Sequence, residues 1–281
     1  MLRRGNAGAN TSADHIQVLD QALAQIPDPH RHGRPILIRA DIAGCTKAFL
    51  AHAHAHGRDQ QAKAVAVEFS VGWAITDRER AAIAAVPNKV WADAVEADGS
   101  HRDGAGLAEL TGLLPAASLD GYPRGTRVIV RRERPHPGAQ LDLMETRDGW
   151  RYTCFATDTP AGQSAFLEAR HRAYARVEDR IRTAKDTGLN HFPSRTLAIN
   201  SAWLTVVMLA VDLISWTRHL LLDGALAKAE PKTLRYRLLH VAARITRGQR
   251  RTFARIQGIW PWAIDLTSAF ARLHALPVPA G

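Results

Sequence analysis

Two apolar runs constrain this chain more than any other feature. PILIRAD occupies 35–41 and AVAVEFSVGWAI occupies 64–75, and CTKAFLAHAHAHG, a helix-forming stretch that ends on Gly57, lies between them. Both runs have strand length, and Val65, Val67, Phe69 and Val71 alternate along one face of the second. Strand, helix and strand in that order predict a parallel pair joined by a crossover helix. Upstream, NTSADHIQVLDQALAQIP sets Ile16, Leu19, Leu23 and Ile26 at helical spacing, with capping side chains at 10–12. The first 76 residues therefore read α-β-α-β.

The end of the first run is chemically odd. Pro35, Ile36, Leu37 and Ile38 suit a core, yet the run closes on Arg39, Ala40 and Asp41 before the small-residue turn Ile42, Ala43, Gly44. A carboxylate at the end of a parallel strand lies where open α/β sheets place their sites.

Beyond residue 76 the character changes. Residues 77–160 hold a short helix near DRERAAIAAV, Gly- and Asp-rich connections, and two strands, TRVIVRRER and GWRYTCFATD. This stretch is expected to be a β-rich insertion. From Gly162 onward a helical region is expected. It opens with one long helix, GQSAFLEARHRAYARVEDRIRTAKD, whose apolar stripe is Phe166, Ala169, Ala173, Val177 and Ile181. HFPSR breaks it, and a very apolar helix follows from about Leu197. Its uncharged run, 196–211, is shorter than the ~20 residues a bilayer span needs, and Asp212 ends it. A buried helix and no membrane partner are expected. Trp73, Trp203 and Trp216 are expected in the core. His52, His54 and His56 alternate by two and read as solvated, not sharing one face.

Net charge is +10, with 37 Lys and Arg against 27 Asp and Glu. Residues 1–164 balance at 19 basic and 19 acidic, so the whole excess falls in 165–281. Between 232 and 255 stand Lys232, Arg235, Arg237, Arg244, Arg247, Arg250, Arg251 and Arg255 with no acid among them. Such a segment is either a solvated helix face or a surface for phosphates. Cys45 and Cys154 lack metal-ligand spacing and suit a reducing cytosol. The N-terminus has no apolar core of a secretory signal.

On the long helix, His171, Tyr174, Glu178, Arg182 and Lys185 recur at spacings that share one face. The stripe is either an exposed ladder with a Glu178–Arg182 pair or part of a site. Taken with Asp41, a helix carboxylate offers a second oxygen ligand for a hard cation such as Mg²⁺.

The segments LRRGNAGANTSADHI, ILIRADIAGCTKAFL, FSVGWAI, GTRVIVRRERPHPGAQL, FLEARHRAYARVEDRIRTAKDTG and FPSRTLAINSAWL, in that order, give the chain a clear likeness. It resembles the C-terminal part of DDE-type insertion-sequence transposases, most nearly the insertion-sequence thirteen-eighty family. The resemblance implies an RNase H-like α/β core with an insertion before the last catalytic helix. It implies an Asp-Asp-Glu triad holding two divalent metals, Mg²⁺ or Mn²⁺. Asp41 matches the second Asp and Glu178 the Glu, both as catalytic residues and metal ligands. Related transposases carry Tyr-x2-Arg-x3-Glu-x6-Lys; Lys185 keeps the spacing, while His171 and Tyr174 stand at the Tyr and Arg positions.

The implied partners are DNA, as transposon ends and target, and a homo-oligomer or full-length transposase, in a cytoplasmic, nucleoid-associated setting. His171, Tyr174, Arg182, Lys185, Arg244, Arg247, Arg250 and Arg251 are the expected DNA contacts. The first Asp of the triad has no matching strand before residue 35. The expectation is a partial core over 1–76, the insertion over 77–160, the catalytic helix over 161–195 and a helical basic region over 196–281. Alone, this chain is expected to be truncated and inactive. The alternatives are a DNA-binding or inhibitory fragment and a metal-dependent nuclease.

Overall fold

The computed structural model describes residues 2–3, 11–31, 34–61, 67–173, 175–248 and 250–277. The chain divides into two compact units, Asn6–Ala175 and Arg176–Gly281, the latter together with Met1–Gly5.

The first unit is built on a mixed α/β sheet. Helix α1 (Ser12–Ala24) and the short α2 (Asp28–Arg31) precede strand β1 (Ile36–Ala40), helix α3 (Lys47–Gln61) and strand β2 (Val67–Trp73). Helix α4 (Asp77–Ala85) leads to β3 (Ala92–Val95), β4 (His101–Glu109) and β5 (Arg127–Glu133). Then come α5 (Leu143–Asp148), β6 (Arg151–Thr157) and α6 (Ser164–Arg172). The sheet order is β1-β2-β6-β5-β4-β3. β1 and β2 are parallel in the register Ile36 to Val67 through Ala40 to Val71, as the α-β-α-β reading expects. β2–β6, β6–β5, β5–β4 and β4–β3 are antiparallel.

Several local expectations change. Helix α3 runs on to Gln61, through Gly57; one glycine costs a helix only about 1 kcal/mol. DPHRHGR contains α2, closed by an Arg31–Asp28 pair at 2.9 Å. β3 and β4 lie within the Gly- and Asp-rich stretch, where Ala94 and Leu107 are fully buried beside small neighbours. All the strands of 77–160 hydrogen-bond into the same sheet as β1 and β2. Val65, on the face expected for the second run, lies outside the described residues.

The core fills the space under α3 and α4. Leu50, Phe69, Val71, Leu110, Val128 and Val130 are fully buried there. Helix α6 is held to the sheet differently. Its Glu168, 3% exposed, accepts from Arg131 on β5 at 2.7 Å and from Arg172 at 3.1 Å. Arg172 also reaches Glu96 at 3.0 Å, and Arg170 reaches Glu68 on β2 at 2.8 Å.

The second unit holds α7 (Ala175–Ala184, its first residue at the boundary), α8 (Leu197–Trp216), the short α9 (Gly224–Ala227) and α10 (Pro231–Leu234), the hairpin β7 (Ala243–Gly248) and β8 (Arg251–Ile256), and α11 (Ala263–Ala275). The expectation of one long helix from Gly162 is corrected: α6 ends at Arg172 and α7 begins at Ala175. The proposed apolar stripe does not form either, since Phe166, Val177 and Ile181 are exposed. The helical reading of the basic stretch is also corrected. β-branched and aromatic residues between its arginines (Ile245, Thr246, Thr252, Phe253) favour the ladder observed.

α8 is not the buried helix expected. Val207 is its buried residue, while Leu209, Leu213 and Trp216 stand 58–60% exposed. The helix continues to Leu221, long and apolar enough by composition to cross a membrane. Trp73 is buried as expected and Trp203 is half-buried, its Nε1 donating to the Gly188 carbonyl at 3.1 Å. Leu222, Leu226, Leu234, Leu238 and Ala269 form this unit's own small core.

The Glu168 anchor gives a stability prediction. Removing one member of a buried ion pair leaves the rest uncompensated, at a cost of about 3–5 kcal/mol. Glu168→Ala should destabilise the sheet unit by about 3–5 kcal/mol, read as a lower urea midpoint at unchanged slope, and an unchanged midpoint would show that α6 is held by apolar contacts alone.

Candidate active site and DNA-facing surface

Asp41 follows the last residue of β1 and caps the one-turn helix Ile42–Gly44. Its Oδ1 accepts from the Ala43 amide at 3.0 Å. The turn is tight because two glycines allow it. A Cβ on Gly44 would lie 2.4 Å from the Ala40 Cβ, and one on Gly72 of β2 would lie 2.8 Å from the Ile42 amide nitrogen. Asp41 is exposed, and among the described residues its Oδ2 has no partner.

Beside this turn lies a cleft of about 250 Å³, lined by Ile42, Lys47, Thr76, Arg78, Glu79 and Tyr122 among others. Two of its residues are cations that the sequence reading passed over. Lys47 opens α3, with Nζ 5.6 Å from the Tyr122 ring, and Arg78 lies exposed in the first turn of α4. A basic residue just after a strand-end turn was the available signal. Glu79 is the carboxylate that lines the cleft, and it is fully engaged. It accepts from the Thr76 amide at 2.8 Å, from the Thr76 hydroxyl and from Trp73 Nε1 at 3.0 Å. Burial opposes its charge, but those hydrogen bonds outweigh it and hold the carboxyl below its usual range. Burial also pushes the Cys45 thiol up to about 11 and Cys154 to about 12, so neither is a ready nucleophile.

Glu178 lies in α7, exposed, with no hydrogen-bond or ion-pair partner among the described residues. The expected Glu178–Arg182 pair does not form. Arg182 binds Asp179 at 2.6 Å and Glu230 at 3.2 Å instead. Lys185 opens the widened turn Lys185–Leu189 that continues α7 and is exposed. Gly188 lies within that turn at φ +139°, where a Cβ would meet Trp203 at 3.2 Å and Val207 at 3.3 Å. Among the described residues Glu178 is thus unengaged and Asp41 keeps one oxygen, Oδ2, without a partner; carboxylate oxygens are the donors that suit a hard divalent cation.

His171 is placed otherwise than the stripe expects. It sits on α6, stacked on Phe155 at 4.6 Å between ring centroids, with Nδ1 2.9 Å from Ser70 Oγ. The ring packs against the sheet and does not share a helix with Glu178. Tyr174 lies outside the described residues. On the hairpin, Arg244, Arg247, Arg250 and Arg251 are exposed. Arg244 stands directly opposite Arg255, and none of these five has an acidic partner among the described residues. Arg250 turns the hairpin at φ +62°.

The chain thus combines a mixed α/β sheet carrying a strand-end Asp with an exposed helix Glu and a strongly basic C-terminal region. The sequence pattern of the family described as transposase DDE domain group 1 matches residues 1–278, and the chain belongs to that family. No curated protein and no solved structure matches it. The family is one of DNA-acting, divalent-metal-dependent proteins of the cytoplasm.

Two outcomes follow from this geometry. Gly72→Val should displace the Asp41 turn and destabilise the sheet unit by about 1–3 kcal/mol, read as a lower urea midpoint together with shifted backbone resonances at 41–44. The second concerns pH. Burial lowers the His171 pKa from 6.5 to about 4, so the folded state refuses a proton that the unfolded chain accepts. Its contribution is fully present above about pH 6.5, is lost progressively as pH falls, and levels off below about pH 4. That loss integrates to about 3 kcal/mol. His171→Gln should flatten this part of the stability–pH curve, and an identical slope would contradict the assignment.

Proposed function

We propose that this chain is the catalytic region of an insertion-sequence transposase, most like the thirteen-eighty family, with an RNase H-like core. Asp41 and Glu178 serve as its metal-binding carboxylates. The observation that carries the reading is that both acids are exposed and, among the described residues, Glu178 has no partner and Asp41 engages only Oδ1, while Glu79 and Glu168 are consumed by structural hydrogen bonds. Asp41 and Glu178 would hold Mg²⁺ or Mn²⁺, which would supply the positive charge needed to activate a water or 3′-hydroxyl and to stabilise the leaving oxygen of a phosphodiester.

The protein's own groups do the rest. The Ala43 amide fixes Asp41 Oδ1, and Oδ2 has no partner among the described residues. Lys47 and Arg78 offer phosphate contacts beside the turn. Arg182, Lys185, Arg244, Arg247, Arg250 and Arg251 bind DNA backbone in the other unit, in a nucleoid setting. Tyr174 and His171 keep the phosphate-contacting roles that the resemblance implies for their positions. Arg250 adopts a left-handed conformation that Gly or Asn would adopt at less cost, which favours a role for its charge. In domain terms, 1–76 supplies the partial core, 77–160 the inserted strands, 161–195 the catalytic helix and 196–281 the basic region. A homo-oligomer or a full-length transposase is the proposed protein partner.

The triad needs three carboxylates, and the resemblance supplies two. A polypeptide of residues 1–281 taken alone should therefore bind DNA without cutting it. Its affinity should fall with salt at a log–log slope of about −0.9 for each phosphate neutralised, and replacing Arg244, Arg251 and Arg255 by Ala should flatten that slope. Binding that is independent of salt contradicts the DNA surface. In a cleavage assay on element ends with Mn²⁺, no cutting that depends on Glu178 is expected. Cutting abolished by Glu178→Ala would mean the third ligand lies within these residues.

A further inference from the structure

His52 and His56 are four residues apart on α3 and share a face, so the reading of three solvated histidines is corrected. His54 points elsewhere and pairs with the buried Asp158 at 2.9 Å. Asp20 of α1 meets the other two. Its Oδ1 lies 2.7 Å from His52 Nε2 and 3.1 Å from His56 Nε2, and the two ring nitrogens are 3.2 Å apart. Three ligand atoms from two helices converge on one point.

Hydrogen bonds account poorly for this triangle. If both rings present N–H to the same oxygen, the two N–H groups crowd each other at 3.2 Å. If one presents a lone pair, it meets the carboxylate's own lone pair. A cation removes the conflict. A tetrahedral Zn²⁺ with bonds of about 2.0–2.1 Å sets its ligand atoms about 3.3–3.4 Å apart, so the edges at 3.1 and 3.2 Å nearly fit and the Asp20–His52 edge at 2.7 Å opens by somewhat more than half an ångström. Two imidazoles at i, i+4 with one carboxylate select a transition metal over Mg²⁺.

The surroundings support a site with an open position. The three residues border a cleft of about 270 Å³ that also includes Leu23, Arg31, Ile36 and Val67. Ile36 and Val67 are the first residues of β1 and β2. The cluster thus lies at the opposite end of the strands from Asp41, outside the proposed active site. α1 buries no residue completely; it is held by Ile16 and Leu19 against the core, by the Ser12–Thr46 hydrogen bond at 3.0 Å and by His15 against Phe49. A metal would cross-link it to α3.

We propose that Asp20, His52 and His56 form a structural zinc site that clamps α1 to α3, with water from the cleft as fourth ligand. The test uses the full chain freed of metal by chelation. One Zn²⁺ per chain should bind in calorimetry and raise the melting temperature, and Co²⁺ should give the visible spectrum of a tetrahedral site. His52→Ala or His56→Ala should weaken Zn²⁺ by more than about 100-fold, beyond the loss of an outer-shell partner, while Asp41→Asn should leave it unchanged. X-ray absorption on zinc-loaded wild type, which requires no variant to fold, should count two imidazoles and oxygen ligands. Absence of zinc binding, displacement by equimolar Mg²⁺, affinity unchanged in the histidine variants, or a thiolate or all-oxygen shell would each overturn the proposal.

Discussion

The parallel pairing of β1 with β2 is the constraint on which the Asp41 end of the sheet depends. Parallel strands finish at the same end, so the chain leaving β1 must turn at once and climb into α3. It does so within a three-residue helical turn whose backbone lies against Gly72 and whose Gly44 lies against Ala40. Any side chain at either glycine would push the carboxylate out of register. Among the described strands β1 pairs with β2 alone, so its placement also rests on α1 and α3. Its outer edge has no strand partner among the described residues, and sheet proteins ordinarily cover or blunt such an edge.

That part of the fold was legible because its signals are local. The α-β-α-β order, the parallel pair and the strand-end position of Asp41 all follow from runs of apolar residues and one turn. The antiparallel strands β5 and β6 were equally readable from alternating Val, Ile, Tyr and Phe. β3 and β4 were not, because ADAV and HRDGAGLAE bury alanines and glycines in place of large residues. Their strand character comes from neighbours far along the chain.

The errors in the second half have one physical source. Helical periodicity says which residues share a face, but not whether the helix is continuous or what that face meets. The stripe of His171, Tyr174, Glu178, Arg182 and Lys185 assumed a helix that ends at Arg172 and restarts at Ala175. His171 then belongs to the sheet, and Arg182 chooses Asp179 and Glu230 over Glu178. The spacing of His52 and His56 was in plain view, but their partner, Asp20, is supplied by another helix.

Charge separates the two units more sharply than the total suggests. Residues 6–175 carry 19 basic and 20 acidic side chains, and 176–281 carry 16 and 7. In the sheet unit, arginines are neutralised as they are used: Arg131 and Arg172 against Glu168, Arg170 against Glu68, Arg127 against Glu109. In the hairpin, among the described residues, they are not. Arg244 faces Arg255 across the ladder, and Arg251 falls on the same face, four residues before Arg255. Like charges directly opposite on a ladder destabilise it, and a two-stranded ribbon has little stability to lose. A polyanion laid along that face would convert the repulsion into attraction, which makes the hairpin's own stability dependent on the DNA proposed to bind it.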